Sequence, residues 1–295
     1  MGRSLSADLE EALDQAWQAR LRHWPPLITA SVPVDTLAVS VTGTYCALNC
    51  AHCGGHYLSG MRPLNGLRPG AAPSLLISGG CDRRGRVPVR ERLPELLPLV
   101  QGRRTNWHLG LVHEEDLEGL DGLLDVVSFD FVGDDDTLRE VYGLEATADD
   151  LERCLDLLAS RARVVPHITV GLRAGRLGHE WLALERLEGH RFDALVFLVL
   201  IPTPGTPYAS VQPPEPEEVA EVLAAARLRF PRVSLQLGCM RPKGSYRDEL
   251  DPLAVRAGLN VIVNPVRAAI ALAEAMGLSW LTGHECCVFP PASPI

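Results

Sequence analysis

Short apolar runs alternate with amphipathic stretches along most of the chain. The runs have the length and the β-branched content of buried strands, and the stretches between them have helical spacing. Alternating strands and helices predict parallel βαβ units, and eight such units predict an α/β fold of the (βα)8 TIM-like barrel type. The predicted strands cover residues 36–42, 74–78, 106–111, 125–131, 164–172, 194–200, 233–239 and 260–263. The predicted helices cover residues 90–100, 114–124, 148–159, 180–187, 216–230, 252–257 and 265–276.

Three segments follow from this pattern. Leu9, Leu13, Trp17 and Leu21 recur at helical spacing after Ser6, which is typical of an N-cap residue. We therefore predict an N-terminal helical extension over residues 1–35 and the barrel over residues 36–282. Residues 283–295 form an irregular C-terminal tail, because the prolines at its end cannot continue a helix.

The net charge and hydrophobic content exclude several classes of protein. The 295 residues carry a formal net charge of −9, and 46% of them are hydrophobic. A large core is therefore possible, while the acidic balance argues against a nucleic-acid-binding surface. We see no apolar stretch of about 20 residues and no apolar signal core. We expect a cytoplasmic protein that binds neither nucleic acid nor membrane.

Three of the eight cysteines lie close together after the first predicted strand, as Cys46, Cys50 and Cys53. Loops that follow barrel strands lie at the catalytic face, so this triad is placed for chemistry. Three thiolates at this spacing can ligate three irons of a cubane and leave the fourth iron open. A structural zinc site is the alternative, with His52 or His56 as the fourth ligand.

The Cys-x3-Cys-x2-Cys spacing after the first strand of an α/β barrel resembles the signature of the radical S-adenosylmethionine superfamily. The resemblance implies a [4Fe–4S] cluster on the triad, with S-adenosylmethionine chelating the open iron. Reductive cleavage of that cofactor gives methionine and a 5′-deoxyadenosyl radical. Family members usually have an aromatic residue before the third cysteine, where this chain has His52.

Further motifs resemble the cofactor contacts of the same family. Ser78, Gly79 and Gly80 follow the second strand, as the family's Gly-Gly-Glu element does, although Cys81 replaces its glutamate. Asp130 ends the fourth strand, where family members often bond the ribose hydroxyls. The resemblance also implies adenine contacts on the fifth and sixth strands, at Gly171 and Ile201. We assign no catalytic side chain from the sequence.

The number of strands and the loop sequences look like the biotin synthase and lipoyl synthase branch, and in particular like a subunit of the archaeal-type two-component lipoyl synthases. Cys154 lies in a predicted helix and is interpreted as a core residue. The other four cysteines suggest a possible second, auxiliary iron–sulfur cluster that donates sulfur: Cys81, Cys239, Cys286 and Cys287. We therefore predict sulfur insertion into unactivated C–H bonds, with lipoyl formation as the leading reaction.

The resemblance also implies partners. They are a low-potential electron donor such as ferredoxin or flavodoxin, a second radical S-adenosylmethionine subunit and an acyl-carrier protein substrate. Two alternatives remain open. One is a single-cluster maturase or mutase acting on a small amino-acid-like substrate, and the other is a non-catalytic electron carrier or zinc-stabilised scaffold.

Overall fold

A computed structural model describes residues 5–289. The part of the predicted tail that contains Pro290, Pro291 and Pro294 lies outside the described residues. The helices are α1 (Ala7–His23), α2 (Leu93–Val100), the single turn α3 (Asp135–Thr137), α4 (Ala148–Ala159), α5 (His179–Arg186), α6 (Pro216–Arg229), α7 (Ser245–Arg256) and α8 (Arg267–Ala275). The strands are β1 (Leu27–Ser31), β2 (Thr36–Ser40), β3 (Arg62–Pro63), β4 (Ser74–Ser78), β5 (Arg104–Trp107), β6 (Val126–Asp130), β7 (Arg163–Val170), β8 (Ala194–Val199), β9 (Ser234–Leu237), β10 (Val261–Val263) and β11 (Ser279–Gly283).

These strands form one parallel sheet in the order β11-β1-β10-β9-β8-β7-β6-β5-β4-β2-β3. Eight intervals separate β1 from β2 in that order, or about 38 Å at a strand spacing of about 4.8 Å. Residues 32–35, which join the two strands, span at most about 18 Å. The sheet must therefore curl until its two ends approach each other. It remains a curled, barrel-like sheet, since no pairing joins edge strands β11 and β3 within the described residues.

The predicted α/β fold is confirmed, with differences at its edges. All eight predicted strands are present, as β2 and β4–β10, in the predicted neighbour order. The sheet also contains β1, β3 and β11, which are short or weakly patterned in sequence. The predicted boundary at residue 35 consequently falls between β1 and β2, which are two strands of the same sheet.

The prediction of a helix over residues 114–124 is wrong. Only Glu114–Leu117 form a 3-10 turn there. Gly119 and Gly122 follow with φ values of 81° and 75°, in the left-handed region that ends a helical path. The N-terminal helix is present as α1, and Ser6 caps it by accepting a hydrogen bond from the Leu9 amide at 3.2 Å.

Neighbouring residues of the strands belong to two separate apolar clusters. Val127 and Phe197 pack in the large cluster that the helices cover, whereas Val126 and Val196 pack in a small inner cluster. Side chains of a strand alternate between the faces of a sheet, so the small cluster marks the concave face. We call the space enclosed by that face the lumen.

Candidate active site

The loop that carries the triad is anchored at two places. The Ala47 amide donates to the Cys81 carbonyl at 2.8 Å, just beyond the end of β4. The Ala51 amide donates to the Val141 carbonyl at 2.8 Å, in the π-helix Leu138–Tyr142. These bonds hold the loop over the carboxyl ends of the strands.

Gly80 fixes the approach of this loop to β4. A Cβ atom at Gly80 would lie 1.9 Å from the Tyr45 carbonyl oxygen and 2.6 Å from the Cys46 Cα. The Gly80 amide donates to Thr42 Oγ1 at 2.7 Å. Only glycine therefore permits the backbone of Cys46 to lie this close to the end of β4.

The triad thiols interact with one another. A hydrogen bond from Cys50, and then one from His52, lower the pKa of Cys53 to about 4 despite burial. The same bond, burial and the neighbouring thiolates raise the pKa of Cys50. A thiolate at Cys53 is the form that ligates iron. Among residues 5–289, no group of three His, Cys, Asp or Glu side chains is arranged to hold a single metal ion.

A cavity of about 170 Å³ opens beside the triad loop at the ends of β4, β5 and β6. Of the residues predicted to bind the cofactor, Ser78, Gly79 and Asp130 line it. Cys81 and Tyr142 line it as well, and Tyr142 is a residue that the sequence did not indicate.

Gly171 and Ile201 do not line this cavity. Gly171 has a φ of 74°, and its amide donates to Glu180 Oε1 at 2.6 Å. A Cβ at Gly171 would lie 2.4 Å from Pro214, so its packing alone accounts for glycine. The Ile201 carbonyl accepts a hydrogen bond from the Thr203 hydroxyl at 3.1 Å. Their adenine contacts stay a prediction.

Asp130 faces the cavity and has an unusual electrostatic environment. Its pKa is raised because the surrounding protein removes solvent, while the nearby imidazoles of His167 and His52 oppose that shift. Burial also raises the pKa of Tyr142, and the Asp130 charge adds to this effect. The Asp130 carboxyl group thus lies near two imidazoles and the Tyr142 phenol beside the triad.

This cavity, which His108 and Ser128 also line, and the adjoining lumen are more polar than the sequence suggested. Burial lowers the pKa of His108 to about 4, and burial with the neighbouring His108 does the same for His167. Their rings meet edge to face with centroids 5.5 Å apart. Ser128 donates to Asn106 Oδ1 at 2.8 Å. The period-two alternation of the strands could have identified these side chains as neighbours on one face.

The four cysteines predicted to hold an auxiliary cluster fall into two groups. Cys81 lies with the triad, since burial and then the Cys46 charge raise its pKa to about 12. The pKa of Cys239 is instead raised by burial and then by Cys286. These electrostatic effects associate Cys239 with Cys286 and Cys287, and they associate Cys81 with the triad.

Residues 284–289, which we call the floor segment, enter the lumen near the amino ends of β2 and β7. The Cys286 amide donates to Thr36 Oγ1 at 2.8 Å, and Arg163 donates to the Val288 carbonyl at 2.8 Å. Thr36 and Arg163 are the first residues of β2 and β7. Tail and triad therefore lie at opposite ends of the lumen, although we expected the tail at the catalytic rim.

The floor segment surrounds Cys286 with hydrogen-bond donors. Asn106 Nδ2 lies 3.6 Å from its sulfur. Hydrogen bonds from the Cys287 thiol, the Val288 amide and Asn106 lower the pKa of Cys286 to about 7, against the effect of burial. Cys286 is thus a partly ionised thiol inside the lumen.

Sequence comparison finds biotin synthases, although no family model matches. The biotin synthase of Ruthia magnifica subsp. Calyptogena magnifica is 26% identical over 192 residues, covering 60% of this chain and 56% of that protein. The biotin synthase of Shewanella denitrificans is 30% identical over 193 residues, covering 60% and 51%. The chain thus spans about half the length of the curated relatives it matches.

Solved structures share the fold over a longer stretch. Methylornithine synthase (PylB) has a TM-score of 0.67 at 15% identity, covering 94% of this chain and 90% of that one. The FeFe-hydrogenase maturase HydG from Carboxydothermus hydrogenoformans has a TM-score of 0.63 at 16% identity, covering 88% and 64%. The chain is thus similar in sequence to biotin synthases and shares its fold with methylornithine synthase and HydG.

The donor set fits the cofactors of the radical S-adenosylmethionine superfamily, whose signature the triad spacing resembles. Cys thiolates are the ligands that hold iron–sulfur clusters, and the triad offers three of them around one loop. The cavity beside the loop offers the Asp130 carboxylate and the backbone of Gly79. No helix within residues 5–289 is long and apolar enough to cross a membrane.

Proposed function

We propose that this chain cleaves S-adenosylmethionine reductively at a [4Fe–4S] cluster on Cys46, Cys50 and Cys53 and inserts sulfur into an unactivated C–H bond. When bound, the cofactor supplies a carbon-centred radical, and an auxiliary cluster supplies sulfide. The observation that carries the proposal is the presence of two separate groups of thiols, the triad at the mouth of the lumen and Cys286 with Cys287 in the floor segment. A substrate between them would be reached by both.

At the mouth of the lumen, residues of this chain would bind and orient S-adenosylmethionine. Asp130 accepts hydrogen bonds from ribose hydroxyls, and a carboxylate in a partly desolvated cavity makes these bonds strong. Gly79 would offer its backbone carbonyl to the methionyl amine, and Ser78, whose carbonyl accepts a hydrogen bond from the Val41 amide at 2.8 Å, would hold Gly79 in place. Tyr142 lines the cavity on the side of the π-helix, where its ring would limit the access of water.

We propose that Cys239, Cys286 and Cys287 hold the auxiliary cluster. Their mutual effects on pKa support their proximity. Asn106 and the Val288 amide donate to Cys286 and would stabilise its thiolate as a ligand. Cys81 is left out of this set because it lies with the triad.

Lipoyl formation is the leading reaction, with an acyl-carrier protein substrate and a second radical S-adenosylmethionine subunit as partners. Reduction of the triad cluster would require a low-potential donor such as ferredoxin or flavodoxin. We place this chemistry in the cytoplasm, where such donors and reduced thiols occur.

A second candidate is a single-cluster maturase or mutase that acts on a small amino-acid-like substrate. The polar lumen favours it, because the neutral rings of His108 and His167 and the Asn106 amide offer hydrogen bonds rather than an apolar slot. This candidate has no need for the thiols of the floor segment.

The test is anaerobic reconstitution followed by iron and sulfide counts and a cleavage assay with a low-potential reductant. We expect about eight irons if both sites hold [4Fe–4S] cubanes, and formation of 5′-deoxyadenosine. Replacing Cys46, Cys50 and Cys53 with Ala should abolish that product. Unchanged product in this variant would overturn the proposal, and full reconstitution at about four irons would favour the second candidate.

A further inference from the structure

A row of lumen-facing side chains runs from the cavity at the mouth across the neighbouring strands β6 to β9. In the strand register, Asp130 pairs with His167, and His167 pairs with Val196. Val196 pairs in turn with Gln236. Val196 belongs to the small inner cluster, and residues paired across parallel strands share one face of the sheet. The row therefore places a carboxylate, an imidazole and a carboxamide on the wall of the lumen.

A backbone hydrogen bond fixes the role of each nitrogen of His167. Nδ1 lies 2.9 Å from the Val165 carbonyl oxygen, which can only accept, so Nδ1 carries the ring proton. Nε2, on the other side of the neutral ring, consequently has a free lone pair and is an acceptor. The edge-to-face contact with His108 holds the ring in this orientation. Burial keeps both rings neutral, since it lowers their pKa values to about 4.

Gln236 supplies a second acceptor farther along the row. Its side chain is 1% exposed, and its Oε1 has no hydrogen-bond partner among the described residues. The adjacent Leu235 and Leu237 pack in the large outer cluster, so the Gln236 amide faces the lumen. Buried polar atoms without a partner are rare in folded proteins. The free oxygen therefore indicates a donor that the protein itself does not provide.

Other polar groups of the lumen are already satisfied within the protein. Ser128 donates to Asn106 Oδ1 at 2.8 Å, and Asn106 Nδ2 lies 3.6 Å from the Cys286 sulfur. No Lys or Arg is among the described residues that line the cavity at the mouth. Arg163, at the start of β7, donates to the Val288 carbonyl of the floor segment. An anionic substrate group would therefore lack a charged partner, and its burial would be costly.

We propose that the lumen binds an uncharged amide group of the substrate, whose N–H groups donate to Gln236 Oε1 and His167 Nε2. An amide fits because the Gln236 side chain presents an acceptor beside a donor, and a second amide presents the complementary pair. The inference rests on the proposed function, since it takes the lumen as the chamber that holds the substrate. It adds the chemical class of that substrate and the two residues that select it.

The experiment uses hexanamide as the probe and methyl pentyl ketone as a probe of equal shape, in which a methyl group replaces the amino group. Anaerobically reconstituted protein is saturated with S-adenosylmethionine, without reductant, so that the mouth is occupied. Each probe is then titrated by saturation-transfer difference NMR. We expect hexanamide to bind about tenfold more tightly than the ketone, because the ketone leaves a buried acceptor unpaired. Hexanoate should also bind more weakly than hexanamide, since the lumen offers it no cation.

Two variants test the two acceptors separately. His167→Phe keeps the ring contact with His108 and removes the acceptor, whereas Gln236→Met keeps the length of the side chain. Each should reduce the preference for hexanamide over the ketone, whereas a purely structural role would weaken both probes alike. Gln101→Met is the control, because Gln101 is an exposed residue at the C-terminal end of α2. If one variant does not fold, the other variant decides.

Three results would overturn the inference. The first is a wild-type protein without a preference for hexanamide, which includes a protein that binds neither probe. The second is hexanoate that binds as tightly as hexanamide, and the third is a preference that persists in both variants. The same titration of protein without a cluster separates this inference from the proposed function, because His167 and Gln236 are not cluster ligands. An intact preference without cofactor cleavage in the reconstituted protein would refute the proposed function alone.

Discussion

The two ends of the lumen hold cysteines in contrasting ways. At the mouth, Cys46, Cys50 and Cys53 come from one loop, and their spacing in sequence is already the spacing of a ligand set. The other group comes from two distant parts of the chain: Cys239 follows the carboxyl end of β9, while Cys286 and Cys287 lie in the floor segment. The first group is a local motif and the second exists only in the folded chain. Their different origins predict different responses to mutation.

Gly80→Ala should have the largest effect on cluster binding. It tests whether the triad loop must lie close to the backbone at the end of β4. An added Cβ would overlap the Tyr45 carbonyl and push the triad loop away from β4. We expect loss of the triad cluster, measured by iron content and by 5′-deoxyadenosine formation. Gly60→Ala is the control, because a Cβ there meets nothing within 4 Å. Normal cluster content in Gly80→Ala would show that the loop tolerates displacement.

The double variant Cys286→Ala and Cys287→Ala tests the other end. Two small side chains are lost far from the triad, so cofactor cleavage should continue at the wild-type rate. Iron content should fall by the share of the auxiliary cluster, and sulfur transfer should stop. Cys154→Ala is the matched control, since this buried thiol of α4 packs in the outer cluster. Unchanged iron content in the double variant would remove the floor segment from the cluster site.

A smaller effect should follow from Asp130→Asn, which keeps the shape of the side chain and removes its charge. A charge-assisted hydrogen bond contributes about 1–3 kcal/mol, so S-adenosylmethionine should bind more weakly by about that amount. Isothermal titration with the loaded protein measures it. Asp82→Asn is the comparison, because Asp82 pairs with Arg86 outside the cavity lining. Equal affinities of wild type and Asp130→Asn would exclude Asp130 from cofactor binding.

The contrast between the two ends also explains how far the sequence could be interpreted. The eight central strands and the triad follow from local patterns, namely apolar runs and cysteine spacing. The strands β1 and β11 could not be predicted from local patterns, because their burial depends on the pairing of β1 with β11 and with β10. The role of Tyr142 in the site could not be predicted for a similar reason. A π-helix places its ring beside His52, and no periodicity in the sequence indicates a π-helix there.

The position of the tail could not be predicted from reach alone. A chain of about ten residues extends far enough to reach either end of the barrel. The position of the tail is determined by apolar packing. Val288 and Phe289 pack against an apolar patch of the concave face that includes Val126 and Val165. The sequence indicates that patch through alternate apolar residues of the strands, but it does not indicate that Val288 and Phe289 pack against it.

The floor segment has a consequence for the order in which the molecule assembles. Its amide contact to Thr36 joins residues 250 positions apart in the chain, and such contacts form late because loop closure must precede them. The curled sheet must therefore exist before the lumen gains its inner thiols. During synthesis, the triad loop leaves the ribosome long before Cys286 does. The triad is therefore synthesised, and can fold, before Cys286 and Cys287 reach the lumen.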